Sequence, residues 1–135
     1  EKMSKSYGNV IELFEPSKRV RKKVMSIKTD STPVEDSKDP EACSVFDLYK
    51  LFANEQQSDD LAARYRAGGL GYGDAKQALF ELSQEHFAEA RARRDALEAD
   101  PGRLEEILVA GADQARQKAA EVLCRARAAC GLGTA

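Results

Sequence analysis

The chain has 135 residues, the length of one ordinary domain. Its composition of 42% hydrophobic and 33% charged residues excludes a disordered or fibrous chain, and no apolar run reaches the roughly 20 residues that cross a bilayer. The net charge of -2 is unevenly spread, because residues 1–28 carry eight Lys or Arg and only three Glu. The basic segment predicts contact with an anion such as a nucleotide or nucleic acid. We expect a soluble, cytoplasmic protein with no membrane contact and no signal peptide.

Helical periodicity dominates the first half of the chain. A helix is predicted from about Pro16, with Val20, Val24 and Ile27 forming its apolar stripe. Residues 28–38 are rich in turn formers and predict a loop. The Asp39-Pro40 pair is typical of a helix start, and that helix is predicted to run from residue 39 to about residue 54.

The second half is also predicted to be helical. Ser58 is the predicted N-cap of a short helix that ends at Gly68-Gly69, and the clustered glycines of residues 68–73 predict a tight turn or hinge, with Tyr72 packing inward. Long helices are then predicted over residues 74–99 and from Asp100-Pro101 to Gly131. The predicted fold is therefore all-α, a bundle of about five helices whose two long C-terminal members are antiparallel, preceded by a flexible loop.

The cysteine and histidine content argues against a metal site or a histidine-based catalytic site. The three cysteines show no metal-ligand spacing, and we expect Cys43, Cys124 and Cys130 to be reduced and buried. His86 is the only histidine and is predicted to lie on a helix surface. No metal-binding residue is predicted.

Several segments resemble class I aminoacyl-tRNA synthetases. The lysine-bearing signature loop of that class is matched by five consecutive residues, Lys2, Met3, Ser4, Lys5 and Ser6. Later segments resemble the bacterial tryptophanyl-tRNA synthetases: a Lys-Lys pair followed by Thr-Asp-Ser within residues 21–31, a Gly-Tyr-Gly segment followed by Lys76, and residues 111–116 with the closing Gly131-Leu132. The resemblance covers essentially the whole chain, and the matching segments occur in the same order as in the family.

The resemblance implies the C-terminal part of a tryptophan–tRNA ligase, which activates tryptophan with ATP and transfers it to tRNA. Residues 1–9 would form the signature loop at the edge of the catalytic domain, residues 10–38 a basic linker helix and loop, and residues 39–135 a helical domain that binds the tRNA anticodon. The nucleotide-binding domain and the tryptophan pocket would precede the chain, so we expect these residues alone to be inactive. The parent enzyme is expected to be a homodimer.

The chemistry of activation explains the residue types of the signature loop. In the family, pyrophosphate leaves ATP and negative charge grows on it in the transition state, where mobile lysines supply compensating charge. Lys5 is the first candidate for this catalytic role and Lys2 the second, while the hydroxyls of Ser4 and Ser6 would donate to phosphate oxygens and Met3 would anchor the loop. ATP is the implied cofactor, with Mg²⁺ only as its counter-ion.

Further basic residues are candidates for tRNA contact. Arg91, Arg93 and Arg94 would lie on one helix, and residues 18–23 carry five Lys or Arg, although solvated helix faces explain most such clusters.

Two alternatives stay open beside the leading interpretation. The chain could be a free-standing helical tRNA-binding or regulatory module without ligase activity, in which the lysine loop retains only phosphate affinity. It could also belong to a tyrosyl-tRNA synthetase, which shares the lysine loop.

Overall fold

The computed structural model describes residues 3–133, and every regular element in that range is helical. Two short 3₁₀ turns span Lys5–Tyr7 and Pro40–Ala42. The α-helices are α1 (Ser17–Met25), α2 (Ser44–Lys50), α3 (Glu55–Ala67), α4 (Tyr72–His86), α5 (Ala88–Ala99) and α6 (Pro101–Ala129). The all-α prediction is confirmed. None of the helices seen between residues 3 and 133 combines the length and apolarity that a membrane span needs.

The chain divides into two compact units, with the boundary between Arg91 and Ala92 in α5. The first unit contains the hydrophobic core, in which α1 and α2 both pack on α4. The stripe predicted for α1 is confirmed for Val20 and Val24, which are each only 2% exposed, whereas Ile27 lies beyond the end of the helix and is half-buried. The other residues of the buried apolar cluster are Cys43, Val45, Phe46, Tyr49, Leu61, Ala62, Tyr65, Leu70, Ala75 and Leu79.

The second unit consists of the end of α5 and α6. Asp100 caps α6 by accepting a hydrogen bond from the Arg103 amide (3.0 Å), and Gly131 follows the helix in the left-handed region at φ 69°, as the sequence predicts. No α6 residue is buried. Cys124 and Cys130 are exposed, so their expected burial is wrong, whereas Cys43 is buried as expected.

Two predicted helices differ from the structure in their bounds, although Asp39 does cap the element that begins at Pro40 by accepting from the Glu41 amide (3.0 Å). The helix predicted over residues 39–54 is a 3₁₀ turn followed by α2, because Cys43 between them is extended and its thiol lies 3.4 Å from the buried Tyr65 hydroxyl. The next helix begins at Glu55 rather than at Ser58. Asn54 accepts from the Gln57 amide (2.8 Å) while the Gln57 side chain accepts from the Asn54 amide (2.9 Å), a reciprocal cap that outcompetes the serine.

The single helix predicted over residues 74–99 is wrong as well. It begins two residues earlier, at Tyr72, and breaks at Phe87, where α4 gives way to α5. The Phe87 ring packs edge-on against Phe52, with ring centres 5.5 Å apart, and against His86 at 4.7 Å. This aromatic cluster fixes the break, and it leaves His86 exposed, as expected.

The loop between α1 and α2 is held by a buried lysine. Lys38 is 5% exposed, and its ammonium donates to the carbonyl oxygens of Pro33 (2.6 Å), Val34 (3.3 Å) and Asp36 (3.1 Å). Its backbone amide donates to the Tyr65 carbonyl at the end of α3 (2.8 Å). The ammonium thus satisfies loop carbonyls that have no helix or strand to pair with.

The glycine turn after α3 meets the same loop closely. Gly68 and Gly69 have φ of 78° and 79°, so the predicted tight turn is confirmed. A Cβ on Gly68 would lie 2.5 Å from the Glu35 carbonyl oxygen, whereas a Cβ on Gly73, in the first turn of α4, would meet nothing within 4 Å. Only glycine fits at position 68.

We predict opposite effects for alanine at these two glycines. Gly68→Ala should destabilise the chain by about 2 kcal/mol or more, because the left-handed conformation and the clash with backbone both oppose a side chain. Gly73→Ala, the matched control, should stabilise it by about 0.5–1 kcal/mol by restricting the unfolded chain. Urea unfolding midpoints measure both, and a Gly68→Ala midpoint at or above that of the parent would contradict the described turn.

Candidate functional site

The described part of the signature loop, residues 3–9, forms a tight turn. Within it, the Tyr7 amide donates to the Ser4 carbonyl (3.1 Å) and the Gly8 amide to the Lys5 carbonyl (3.2 Å). Gly8 then takes the left-handed conformation at φ 66°, which reverses the chain direction. The turn is closed by its own backbone, and it buries no residue.

Side chains reinforce the turn. The Ser4 amide donates to the Asn9 carboxamide oxygen over 2.7 Å. The hydroxyls of Ser4 and Ser6 lie 2.7 Å apart and form a hydrogen bond in which either can be the donor. The two hydroxyls predicted to reach phosphate oxygens are therefore side by side on one face of the turn. Nothing in the five-residue motif itself signals the contribution of Asn9.

Lys5 is exposed, and its ammonium makes no hydrogen bond or ion pair with any of residues 3–133. Three N–H donors and a full positive charge are thus available to an anion. Lys2, the second catalytic candidate, lies outside the described residues, so its role stays a prediction.

Cavities lined by described residues border the turn. An apolar one of about 230 Å³ is lined by Met3 together with residues of α1, α2 and α4 such as Val24, Leu48 and Leu79. Met3 is 44% exposed, and its anchoring role stays a prediction. A more polar cavity of about 410 Å³ lies against Gly8 and Asn9 and is also lined by Lys23, Lys28, Ser26 and Ser44.

The basic residues of α1 divide into paired and unpaired groups. Lys23 forms an ion pair with Glu15 (3.0 Å), and Arg21 donates to the Gln77 side chain (3.1 Å). The remaining members are exposed and form no side-chain bond to another described residue; these are Lys18, Arg19 and Lys22, and Lys28 beyond the helix behaves in the same way. The unpaired charges face solvent on the segment that follows the loop.

The three arginines predicted to contact tRNA have different surroundings. Arg91, in the first unit, is half-buried and donates to the Leu13 carbonyl (2.9 Å) and to the Gln84 side chain (2.6 Å). Arg93 and Arg94 are exposed in the second unit, where Arg94 pairs with Glu98 (2.7 Å). Exposed ion pairs of this kind are weak, so Arg94 can exchange its partner for a phosphate, whereas Arg91 ties the residues before α1 to α4.

The Thr-Asp-Ser and Gly-Tyr-Gly segments meet in space, which the sequence did not reveal. The Tyr72 hydroxyl donates to the Asp30 carboxylate over 2.7 Å, and the Tyr72 ring lies 5.5 Å from the Lys38 ammonium. Burial, and then the hydrogen bond to Asp30, raise the pKa of Tyr72 to about 12. Hydrogen bonds from the backbone and side chain of Thr32, and then from Tyr72, lower the pKa of Asp30. Tyr72 is half-buried.

The chemistry around the turn suits phosphate. Its polar groups are the Lys5 ammonium, the hydroxyls of Ser4 and Ser6 and the carboxamide of Asn9. Each of these groups can donate a hydrogen bond to a phosphate oxygen with any hydrogen that is not already used within the turn. Within residues 3–133, no three His, Cys, Asp or Glu side chains lie close enough together to hold a metal ion.

Comparison with known proteins identifies the family. Residues 1–88 match the model of the tRNA synthetases class I (W and Y). The chain belongs to this family. The tryptophan–tRNA ligase of Rhodopirellula baltica is 52% identical over 132 residues, which are 98% of this chain and 41% of that ligase. The tryptophan–tRNA ligase of Campylobacter jejuni strain RM1221 is 47% identical over 120 residues, which are 89% of this chain and 38% of the relative.

A solved structure agrees with this assignment. The crystal structure of tryptophanyl-tRNA synthetase from Campylobacter jejuni, complexed with ADP and tryptophan, matches with a TM-score of 0.87 and 44% identity, covering 96% of this synthetase chain and 41% of that one. The resemblance to tryptophanyl-tRNA synthetases is confirmed, and these relatives favour it over the tyrosyl alternative. This synthetase chain spans about two fifths of the length of the relatives it matches.

The Tyr72–Asp30 bond predicts a pH-dependent stability difference. The folded state holds the Tyr72 proton more tightly than the unfolded chain, whose pKa is near 10.0, so this contribution is complete below pH 10 and is lost as pH rises towards about 12. Tyr72→Phe should therefore be less stable than the parent near neutral pH, and the difference should shrink over that alkaline range. Urea unfolding across this pH range measures the stability difference. The contribution of Tyr65 cancels because both proteins contain it. A difference independent of pH would contradict the assigned hydrogen bond.

Proposed function

We propose that this chain forms the part of a tryptophan–tRNA ligase that stabilises the departing pyrophosphate and carries helices that bind tRNA. The complete ligase activates tryptophan with ATP and transfers it to tRNA. One observation carries the proposal: the exposed Lys5 ammonium, which pairs with none of residues 3–133, stands on a hydrogen-bonded turn in a chain that belongs to the class I family.

The proposed role of the loop follows from the charge changes in activation. The tryptophan carboxylate attacks the α-phosphorus of ATP, the bond to the bridging oxygen breaks, and pyrophosphate leaves with the bonding electron pair. Lys5, assisted by Lys2, compensates the charge that grows on the leaving phosphates, and the Ser4 and Ser6 hydroxyls donate to phosphate oxygens. Because that charge is greatest in the transition state, the lysines raise the rate more than the affinity for ATP.

ATP is the proposed cofactor. The Campylobacter jejuni relative was crystallised with ADP and tryptophan, and the donors on the turn described here fit a nucleotide phosphate. Mg²⁺ would accompany ATP as its counter-ion, held by the phosphates themselves. Tryptophan would be bound by parts of the ligase outside these residues, and the assembled enzyme is proposed to be a homodimer.

Residues 39–135 are proposed to bind the anticodon region of tRNA, with residues 1–9 as the phosphate loop and residues 10–38 as the basic connection. Of the arginines on α5, Arg93 and Arg94 are the proposed phosphate contacts, because both are exposed. The bonds from Arg91 to Leu13 and Gln84 favour a structural part for it, so any RNA contact by Arg91 would be secondary.

The substrate is tested by ATP–pyrophosphate exchange with the complete ligase. We predict exchange that depends on tryptophan and is not supported by tyrosine, whereas residues 1–135 alone should catalyse none. Exchange driven by tyrosine would replace the proposal with the tyrosyl alternative. Salt-sensitive binding of tRNA without any exchange would favour the free-standing RNA-binding module.

The RNA contact is tested by salt dependence. Replacing Arg93 and Arg94 together by alanine should weaken tRNA binding and reduce the slope of log K against log salt by about 1 for each phosphate that is no longer neutralised. Arg103→Ala is the matched control, since Arg103 is an exposed arginine on α6 with a similar local ion pair, to Glu106 (2.9 Å). An unchanged slope in the double variant, or an equal change in the control, would refute the contact.

A further inference from the structure

We propose that Asn9 is a positioning residue for Lys5 in the activation step, an inference that rests on the proposed function. Its carboxamide oxygen accepts the Ser4 amide hydrogen over 2.7 Å, at the short end of the N–H···O range. The bond joins residues five apart and encloses the whole 3₁₀ turn, Lys5–Tyr7. Asn9 therefore closes the turn from outside the five-residue motif.

The turn has little else to hold it. No residue of the turn is buried, Tyr7 is 67% exposed, and Gly8 has open space on its Cβ side. Besides the Asn9 bond, the turn has the hydroxyl bond between Ser4 and Ser6 (2.7 Å) and two backbone bonds of the 3₁₀ type, which have poor geometry and support only short runs. Ordering a residue costs roughly 1–2 kcal/mol, so an exposed turn without packing depends on each hydrogen bond that closes it.

Closure of the turn determines where the lysine stands. Lys5 is the first residue of the turn and directly follows Ser4, whose amide Asn9 holds. With the Asn9 bond in place, the Lys5 backbone is fixed before ATP binds. The ammonium then extends from a fixed Cα position. Without it, the turn must be ordered during the reaction, and the free energy needed is added to the barrier.

The kinetic consequence is specific. Asn9→Ala should lower kcat for adenylate formation about tenfold, the factor that corresponds to one hydrogen bond, with the KM for ATP nearly unchanged. Asn9→Asp keeps an acceptor oxygen in the same place, so its kcat should exceed that of Asn9→Ala.

The experiment is a double-mutant cycle in the complete ligase, measured as tryptophan-dependent adenylate formation. Because Asn9 acts through Lys5, Asn9→Ala should have little further effect once Lys5→Ala is present, whereas a merely structural effect would multiply with it. Additive losses, a parental kcat in Asn9→Ala, or a rise in KM alone would overturn the positioning role. Failure of the proposed function has a different result, because a parental rate in the single variant Lys5→Ala would show it.

Discussion

The packing of α1 on α4 is the constraint on which the rest of the first unit depends. Val20, Val24 and Leu79 are each only 2% exposed, and burying an aliphatic side chain of this size contributes about 1.5–3 kcal/mol. Polar contacts run along the same interface, from Arg21 to Gln77 (3.1 Å) and from Lys76 to the Met25 carbonyl (3.3 Å). The most basic segment of the chain is thereby attached to the helical core, and its unpaired lysines are turned towards solvent.

The signature loop contrasts with that core. It buries nothing, it is closed by hydrogen bonds, and it presents an ammonium with no partner among the described residues. A charge already paired within the protein would have to break its ion pair before meeting a phosphate, whereas Lys5 has no such cost. An exposed turn beside a rigid packed unit suits a group whose partner charge appears only during the reaction.

Sequence reasoning succeeded where the signal was local. The Val20 and Val24 stripe, the Asp100 cap and the five-residue motif all depend on neighbouring residues, and the structure agrees with the first two. It failed where distant groups decide the outcome. The break at Phe87 follows from ring packing with Phe52, and Tyr72 reaches Asp30 across 42 residues of chain. Asn54 was overlooked in favour of Ser58 because both are good caps, and only the reciprocal bond with Gln57 separates them. Likewise the Asn9 bond depends on the folded turn, which residue types alone do not reveal.

The most direct test of the central claim is single-turnover adenylate formation by the complete ligase carrying Lys5→Ala, at saturating tryptophan and varied ATP. If the Lys5 ammonium stabilises the departing pyrophosphate, the rate at saturating ATP should fall about 10²–10³-fold, as for loss of one preorganised donor, while the Kd for ATP changes little. An unchanged rate at saturating ATP, with or without weaker ATP binding, would contradict the account.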